Sequence, residues 1–375
     1  MKIWVIGRGY PTAANRMWGS FELEQAKLLA RNGYEVSYIA LTLSFFDRKD
    51  PRGLRVFNDS GVKIYAYSHF YFPGKAGIYW GFFEDRCWRK LFEKAEGDKG
   101  LPDIVHVHYP SMLSSIHEIE KYRSRGVKLF VTEHWSRVMV NNLKKHELTR
   151  LRFYAQRANC FACVSEALQN AVRTRTTVTV PMEVIPNIVS PAFFEAKGES
   201  NKGVFTFAAI GRLVPLKQFD AVVRQFLHVF GGNSAVKLRI IGSGPERKKL
   251  ERIAGRSTQI SFTGELSLQE TVKELAGADA LVSFSRYETF AAPVAEAWAC
   301  GKPAIVSSGS GISPYVRPEN GYVVDSGSEE KLGLAMKGIF DYHKGFDPEV
   351  ISAYAGKYFS DRAIMDRLSA MYTNF

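Results

Sequence analysis

Short apolar runs alternate with segments of helical periodicity along almost the whole chain, in two successive series. The first series starts with the apolar run KIWVIG, followed by SFELEQAKLLARNG, in which apolar residues recur at helical spacing. Strands that alternate with helices predict parallel sheets covered by helices on both faces. The second series starts at FTFAAIG, so we predict an α/β protein with two doubly wound, Rossmann-like domains that face each other across a cleft.

The boundary between the two series is predicted in the Pro-containing, polar-ended segment Pro186–Asn201. We therefore predict an N-terminal domain over residues 1–195, a C-terminal domain over residues 196–352, and a final helical segment over residues 353–375 with Ser360 as an N-cap. Ligands of open parallel sheets bind outside the carboxyl ends of the strands. The residues that follow each strand are therefore the candidates for a functional site.

Charge and composition narrow the possible partners. The 375 residues carry a net charge of +12, and residues 1–195 hold 28 Lys and Arg against 19 Asp and Glu. Such an excess favours an anionic membrane surface, an acidic substrate or nucleic acid as a partner, or simply forms a solvated basic surface. The N-terminal apolar run is too short for a signal peptide or a membrane span, so we expect a cytoplasmic protein. The pair Cys160 and Cys163 has no further metal ligands nearby, and we interpret both as buried cysteines in or near a strand.

The glycine-rich turns do not complete a nucleotide fingerprint. In IGRGYPT and in IGSGPERK, Thr12 and Arg247 stand where a G-x-G-x-x-G motif needs its third glycine. A different turn, GRLVPLKQ, directly follows the strand FTFAAI and places Arg212 and Lys217 at the carboxyl end of a strand. A guanidinium fork with a flexible ammonium suits a diphosphate, although two solvated surface cations would look the same.

Two glutamates bracket a predicted helix in SRYETFAAPVAEAWACGKPAIV. Pro293 suits the first position of a helix and Gly301 suits the position just past its end, which predicts a helix over Pro293–Cys300. Glu288 then precedes the helix and Glu296 lies in its first turn. A helix N-terminus attracts phosphate, so the carboxylates are expected to accept hydrogen bonds from sugar hydroxyls and not to contact the phosphate. A solvated loop acid and a first-turn glutamate that favours the helix dipole are the alternatives.

With these motifs, the chain resembles the retaining glycosyltransferases of family 4, also called group 1, which have the GT-B fold. The resemblance covers nearly the whole chain and is strongest over residues 205–324, with GRLVPLK, RIIGSGP, SFTGEL, ETFAAPVAEAWACGKPAIVS and NGYVV. In the first half, WGSFELEQAKLLARNGYEV, DIVHVHYP, VTEHW, ACVSEAL and VIPNIVSPAFF also resemble the family. The resemblance implies a nucleotide-diphosphate sugar donor, UDP- or GDP-linked, retention of configuration and no requirement for a metal.

The resemblance also implies roles for individual residues. Gly211, Arg212 and Lys217 would hold the donor diphosphate, and Glu296 would bind the ribose. Glu288 and the backbone of Phe290, Ala291 and Ala292 would lie at the donor sugar. Gly19 would lie near the diphosphate or the acceptor. His134 would lie at the reacting centre and His108 on the acceptor side. The catalytic set would be His134, Glu288, Arg212 and Lys217. Packed histidines at strand ends are the alternative for His134 and His108, and we expect His106, which shares a strand face with His108, to be structural.

Two departures from the family pattern bear on the donor sugar. Ala291 stands where the family often has glycine, and alanine disfavours a positive φ and narrows the approach to a ligand. The family motif GGxxE corresponds here to SGSGISPYV, which lacks the glutamate.

The segment Phe70–Phe92 is unusually aromatic, since nine of its 23 residues are Phe, Tyr or Trp. Together with Arg86, Arg89 and Lys90 it suits a membrane interface, a lipid-linked acceptor or a partner surface, while a packed helix and loop is the alternative. We expect a transferase acting on a glycan or lipid-linked acceptor in bacterial surface polysaccharide or lipopolysaccharide synthesis, with peripheral contact to the inner face of an anionic membrane and no nucleic-acid partner. A nucleotide-sugar epimerase of similar fold and a non-catalytic nucleotide-sugar or glycan-binding protein are the alternatives.

Overall fold

The structure is a computed structural model that describes residues 1–12, 15, 17–44, 52–70, 77–113, 116–196 and 203–375. The chain forms two compact units, Met1–Ile188 together with Met365–Phe375, and Val189–Ile364. Residues 197–201 of the predicted boundary segment lie outside the described residues.

The first unit is built on a sheet in which almost every strand is parallel to its neighbours. Its elements are β1 (Lys2–Gly7), α1 (Ser20–Arg31), β2 (Glu35–Ser44), β3 (Gly53–Asp59), β4 (Val62–Phe70), α2 (Gly77–Lys99), β5 (Ile104–His108), α3 (Ile116–Arg123), β6 (Lys128–Glu133), α4 (Ser136–Met139), α5 (Lys145–Arg157), β7 (Cys160–Cys163), α6 (Glu166–Arg175) and β8 (Met182–Val184). Across the described residues the strand order is β3-β4-β2-β1-β5-β6-β7-β8. β1 is therefore central, and its carboxyl end lies beside that of β5.

The antiparallel hairpin of β3 and β4 departs from the predicted all-parallel sheet. The strands are joined by Ser60 and Gly61, whose φ values are 51° and 84°. A two-residue turn with positive φ at both positions matches the right-handed twist of the flanking strands, which is why such turns connect hairpins. The sequence Asp-Ser-Gly between two apolar-rich runs was the available signal.

The second unit repeats the doubly wound pattern with a fully parallel sheet. Its elements are α7 (Pro191–Glu195), β9 (Phe205–Ile210), α8 (Phe219–Phe230), β10 (Val236–Ile241), α9 (Arg247–Ala254), β11 (Ile260–Gly264), α10 (Leu268–Ala276), β12 (Ala280–Ser283), α11 (Ala292–Ala299), β13 (Ala304–Ser307), β14 (Gly321–Val324), α12 (Glu329–Tyr342) and α13 (Pro348–Phe359). Short 3-10 helices cover Pro215–Lys217, Ser313–Tyr315 and His343–Gly345. In its described part the strand order is β11-β10-β9-β12-β13-β14.

The last helix, α14 (Asp361–Asn374), continues into the first unit from Met365 onward. Ser360 caps it, because the Ser360 hydroxyl accepts a hydrogen bond from the Ala363 amide at 3.3 Å. The Tyr372 side chain is buried against the sheet of the first unit, where its ring lies 5.1 Å from that of Phe130. The C-terminal residues are therefore part of the core that surrounds the ends of β5 and β6.

Two aromatic residues of the segment Phe70–Phe92 belong to the core of the first unit. Trp88 and Phe92 on α2 are buried, and the Phe92 ring stacks 5.8 Å from that of Trp4 on β1. Residues 71–76 of this segment lie outside the described residues. Within the helices that the structure describes, we find no stretch with the length and apolar character needed to cross a membrane.

Candidate functional site

Arg212 and Lys217 lie in the loop that follows β9, as predicted. The Arg212 side chain is exposed and makes no hydrogen bond or ion pair within the described part of the chain. Lys217 ends the 3-10 helix Pro215–Lys217, and its Nζ lies 2.5 Å from Oε1 of Glu288. One cation is therefore unengaged and the other is held by a carboxylate that is itself mostly covered, with 14% of its side chain exposed.

The glycines of GSG after β10 let this loop pack against the neighbouring strand end. The Leu213 amide donates to the Ser243 carbonyl at 2.8 Å. A Cβ added to Gly242 would lie 2.0 Å from the carbonyl oxygen of Gly211, and one added to Gly244 would lie 2.4 Å from that of Leu213. Contacts that short cannot accommodate a side chain. These glycines therefore shape the loop that carries Arg212.

Gln218 fixes the position of Lys217, a role that the sequence did not predict. Its backbone is left-handed, with φ 49°, and its side-chain amide donates to the carbonyls of Phe284 and Ser326, each at 3.1 Å. In addition, the Arg286 amide donates to the Leu216 carbonyl at 3.0 Å. The loop after β9 is thus tied to the loop after β12, which brings Lys217 to Glu288.

Glu288 is positioned through both its backbone and its carboxylate. The Ser285 hydroxyl donates to Oε1 of Glu288 at 2.6 Å. Its amide donates to the Gly309 carbonyl at 3.1 Å, and its own carbonyl accepts from the Gly311 amide at 2.9 Å. The loop SGSG, which replaces the family's GGxxE, therefore holds Glu288 by its backbone.

Helix α11 begins at Ala292 and ends at Ala299, one residue earlier at each end than predicted. Glu296 is its fifth residue, so the prediction that it lies in the first turn was wrong. Gly301 has φ 71° just past the helix end, as expected for a glycine that terminates a helix. Phe290 is buried with its ring 5.5 Å from that of Phe359, which leaves only its backbone to contact a ligand.

Ala291 has a left-handed backbone conformation, which favours glycine. Its φ and ψ are 76° and 65°, and it forms the N-cap of α11. This conformation costs a residue with a Cβ about 1–2 kcal/mol. The chain therefore holds a residue with a methyl group, in a conformation that favours glycine, at the start of the helix.

Glu296 is the carboxylate with the most perturbed ionisation in this loop region. Burial raises the pKa of Glu296 to about 7. Its side chain nevertheless remains partly accessible, and it has no ion-pair partner among the described residues. Hydroxyl groups that donate to this carboxylate would favour its ionised form. Glu296 is therefore suited to accept hydrogen bonds from a neutral polyol.

In the first unit, His106 is structural, as predicted. It is completely buried, its Nε2 lies 2.8 Å from Oγ1 of Thr132, and its Nδ1 lies 2.6 Å from the Tyr372 hydroxyl. Burial lowers the pKa of His106 well below the usual value, so the ring is neutral at pH 7. His106 joins two strands to the C-terminal helix.

His108 and His134 form a pair at the carboxyl ends of β5 and β6. His108 Nδ1 lies 2.9 Å from His134 Nε2, and the His134 ring stacks on Tyr109 at 4.7 Å. Burial lowers the pKa of both histidines well below the usual value. Both are therefore neutral hydrogen-bonding groups at pH 7, and one nitrogen of the pair donates to the other.

Glu133 supports the turn that presents His134, and the sequence did not single it out. It is buried, and its carboxylate accepts hydrogen bonds from the backbone amides of His134 and Trp135 at 2.9 and 3.0 Å and from the Ser111 hydroxyl at 2.7 Å. Burial raises the pKa of Glu133. A carboxylate directly before a candidate histidine at a strand end was the available signal.

Gly19 lies in the loop after β1, where it caps α1 with φ 80°. A Cβ at this position would lie 2.0 Å from the Gly9 carbonyl oxygen. The Tyr38 hydroxyl donates to that same carbonyl at 2.6 Å. The requirement for glycine at position 19 therefore follows already from the packing of this loop.

Two sequence models of glycosyltransferases match the chain in tandem. The model described as Glycosyltransferase Family 4 matches residues 22–193, and the one described as Glycosyl transferases group 1 matches residues 192–342.

Curated relatives are similar over different parts of the chain. A GDP-mannose-dependent monoacylated alpha-(1-6)-phosphatidylinositol monomannoside mannosyltransferase of Corynebacterium glutamicum is 30% identical over 40% of this chain, which spans 44% of that protein. The N-acetyl-alpha-D-glucosaminyl L-malate synthase of Bacillus anthracis is 23% identical over 88% of this chain and 85% of its own length. The chain thus matches less than half of the mannosyltransferase and most of the synthase.

Solved structures share the fold over the full chain. Sucrose-phosphate synthase from Thermosynechococcus elongatus has a TM-score of 0.79 at 17% identity and covers 100% of this chain and 98% of its own. Anabaena HepE in complex with UDP and glucose has a TM-score of 0.72 at 15% identity, with complete coverage of both chains. At such identities the similarity establishes the architecture alone.

Proposed function

The chain belongs to the group 1, or family 4, glycosyltransferases and has the GT-B fold, and on that premise we propose that it transfers a sugar from a nucleotide-diphosphate sugar to a glycan or lipid-linked acceptor. The observation that carries this proposal is the pair of cations after β9, of which Arg212 is exposed and unengaged among the described residues and Lys217 contacts Glu288 ahead of α11. Relatives named GDP-mannose-dependent and a neighbour in complex with UDP support a GDP- or UDP-linked donor. We further propose retention of configuration and a role in bacterial surface polysaccharide or lipopolysaccharide synthesis, by analogy with the family.

The proposed chemistry needs a stabilised leaving group. Transfer develops positive charge on the sugar and negative charge on the departing nucleoside diphosphate. Arg212 would bind the diphosphate with its unengaged guanidinium, and Lys217 would exchange its contact with Glu288 for a phosphate oxygen. The N-terminus of α11 adds a favourable dipole. We assign leaving-group stabilisation to these groups, so that no metal would be required.

The remaining roles follow from the state of each side chain. Glu296 would accept hydrogen bonds from the ribose hydroxyls, and Glu288 would lie against the donor sugar. The methyl group of Ala291 would restrict which sugar fits beside it. His134, held neutral, would serve the reacting centre as a hydrogen-bonding group, with His108 on the acceptor side and Gly19 near the diphosphate or acceptor.

The direct test is a donor screen with a matched pair of variants. The purified chain is incubated with UDP-, GDP-, ADP- and dTDP-sugars together with glycan and lipid-linked acceptors, and release of nucleoside diphosphate is followed for the wild type, Arg212→Ala and Arg173→Ala. Arg173 is an exposed arginine on α6 in the first unit and serves as the control. We expect turnover with one donor class, a loss of at least tenfold in Arg212→Ala and no change in Arg173→Ala. An isomerised donor without release of diphosphate, or binding without turnover, contradicts the proposal.

We also propose peripheral contact with an anionic membrane through a basic face of the first unit. Arg86, Arg89 and Lys90 on α2 and Lys121 on α3 line a groove that also contains three acidic residues. Arg89 and Lys121 are paired with one of these, Glu118, which leaves Arg86 and Lys90 as the cations on which the contact would depend. Because Trp88 and Phe92 are buried, exposed charge rather than those two rings would drive the contact. Flotation with anionic liposomes at low salt is expected to carry the wild type but not the double variant Arg86→Glu, Lys90→Glu. Failure of the wild type to float contradicts this part of the proposal.

A further inference from the structure

Arg8 is the first residue after β1, at the carboxyl end of the central strand of the first unit. Ligands of parallel sheets bind at this edge. The guanidinium is mostly covered, with 15% of the side chain exposed. It also acts electrostatically on His108 and on His134, whose lowered pKa values reflect burial first and then nearby positive charge. Arg8 is therefore a cation beside the proposed acceptor-side histidines.

Three neighbours fix the orientation of the Arg8 guanidinium. Its Nε donates to Oε1 of Glu22 at 2.9 Å, and Glu22 is completely buried. Its central carbon lies 3.7 Å from the ring centroid of Tyr109 and 5.0 Å from that of Trp18. A guanidinium stacked on aromatic rings and bonded through Nε is rigid, so it loses little freedom when it binds a ligand.

These contacts leave the forked end of the guanidinium unused. Glu22 contacts Arg8 through Oε1 only, while its buried Oε2 has no hydrogen-bond partner in the described chain. Neither Nη of Arg8 hydrogen-bonds to a described residue. An arginine whose role is only to neutralise a buried carboxylate is usually bound by both of its oxygens. Trp18 supplies a second donor without an acceptor in the described chain, because its buried Nε1 has no hydrogen-bond partner. The cluster thus has donors at the sheet edge that its own residues do not satisfy.

We propose that Arg8 is an oxyanion-binding residue, whose two Nη groups hold a phosphate or carboxylate group of a substrate. This inference rests on the proposed function and names the substrate class, since at least one substrate must present that oxyanion to the first unit. The oxyanion belongs either to the acceptor or to the diphosphate of the donor. Both sources offer the same planar pair of acceptors to the fork.

The test measures binding without turnover, so it remains informative if the proposed transferase reaction fails. Inorganic phosphate, glucose 6-phosphate, glucose and UDP are titrated against the full chain by calorimetry. Removing Arg8 alone would leave Glu22 as a buried unpaired charge and could unfold the protein. The main variant is therefore Arg8→Gln with Glu22→Gln, and Arg8→Lys keeps the charge but lacks the fork. Glu22→Gln alone and Arg173→Gln are the controls.

Wild type and Arg173→Gln are expected to bind an oxyanion probe at least tenfold more tightly than the double variant, with Arg8→Lys in between, while glucose shows no such difference. Glu22→Gln alone removes a neighbour that orients Arg8 and is expected to bind the probe less tightly than wild type but more tightly than the double variant. A loss confined to phosphate and glucose 6-phosphate assigns the oxyanion to the acceptor. A loss for UDP assigns it to the donor. The proposal is overturned if the wild type binds no oxyanion probe. It is also overturned if the double variant and Arg8→Lys both bind the probes as tightly as the wild type does.

Discussion

In the second unit the candidate charges lie at or near the surface, whereas in the first unit the candidate histidines are buried. Arg212 is exposed and Lys217 is held by a single carboxylate. By contrast, His108 and His134 are paired with each other and kept neutral by burial. Exposed or singly paired charges can exchange partners with an incoming anion at little cost, while buried neutral rings can only donate or accept hydrogen bonds. Under the proposed function, ionic recognition of the donor would fall to Arg212 and Lys217 of the second unit, while Arg8 is the cation that the first unit would offer to an oxyanion.

The largest expected effect tests the comparison at Glu296, a carboxylate of the second unit whose pKa is raised to about 7 by burial. Its folded pKa of about 7 lies above the ordinary value of 4.5, so ionised Glu296 destabilises the fold, increasingly from about pH 4.5 to pH 7 and constantly above. Glu296→Gln mimics the protonated form. We expect it to raise the free energy of unfolding by about 2 kcal/mol at pH 8 and by little at pH 4.5.

Urea unfolding at both pH values measures this difference. Glu319→Gln, at an exposed glutamate of the same unit, is the control and should show little pH-dependent gain. Equal stability of Glu296→Gln and wild type at pH 8 would contradict the assignment of Glu296 as a desolvated carboxylate.

The next effect tests how much the buried contact between Tyr372 and His106 stabilises the first unit. Tyr372→Phe removes the hydroxyl that contacts Nδ1 of His106 at 2.6 Å in a buried site. We expect a loss of about 1 kcal/mol in the free energy of unfolding. Tyr34→Phe, at a half-buried neighbour whose ring lies 6.5 Å from that of Tyr372, should change stability by less than about 0.5 kcal/mol. Equal effects of the two variants would show that the Tyr372 hydroxyl does not stabilise the fold through His106.

The smallest effect concerns the left-handed alanine at the start of α11. Ala291→Gly removes the cost of a positive φ, which is about 1–2 kcal/mol for a residue with a Cβ. It also increases the entropy of the unfolded chain, which lowers the free energy of unfolding by about 0.4–1 kcal/mol. A net stabilisation of about 0.5 kcal/mol should follow. Ala295→Gly, in the middle of the helix, should instead destabilise by at least about 0.5–1 kcal/mol. Destabilisation of similar size by both variants would mean that position 291 is not strained.

The sequence predicted the second unit better than the first because its site is local. Arg212, Lys217, Glu288 and the helix after them lie in two short segments whose turn residues mark the strand ends. Gln218 escaped prediction because its role depends on accepting carbonyls from two distant loops.

In the first unit, the partners of one cluster come from widely separated segments. Arg8 and Tyr109 follow β1 and β5, Glu22 lies on α1, Glu133 ends β6, and Tyr372 comes from the last helix. Periodicity predicts that each of these residues is near a strand end or on a helix, but it does not predict which of them meet. The hairpin of β3 and β4 was missed for a related reason, since an alternation of strands and helices favours parallel pairing.

The most direct test of the donor site combines two variants with three ligands. Calorimetry compares the preferred nucleoside diphosphate, its nucleoside and its 2′,3′-dideoxy analogue on wild type, Arg212→Ala, Glu296→Gln and the control Arg173→Ala. The account predicts that Arg212→Ala loses about tenfold in affinity for the diphosphate and nothing for the nucleoside. It predicts that Glu296→Gln loses about tenfold for the ribonucleotide and nothing for the dideoxy analogue. Unchanged affinities of both variants for all three ligands would contradict a donor site at these residues.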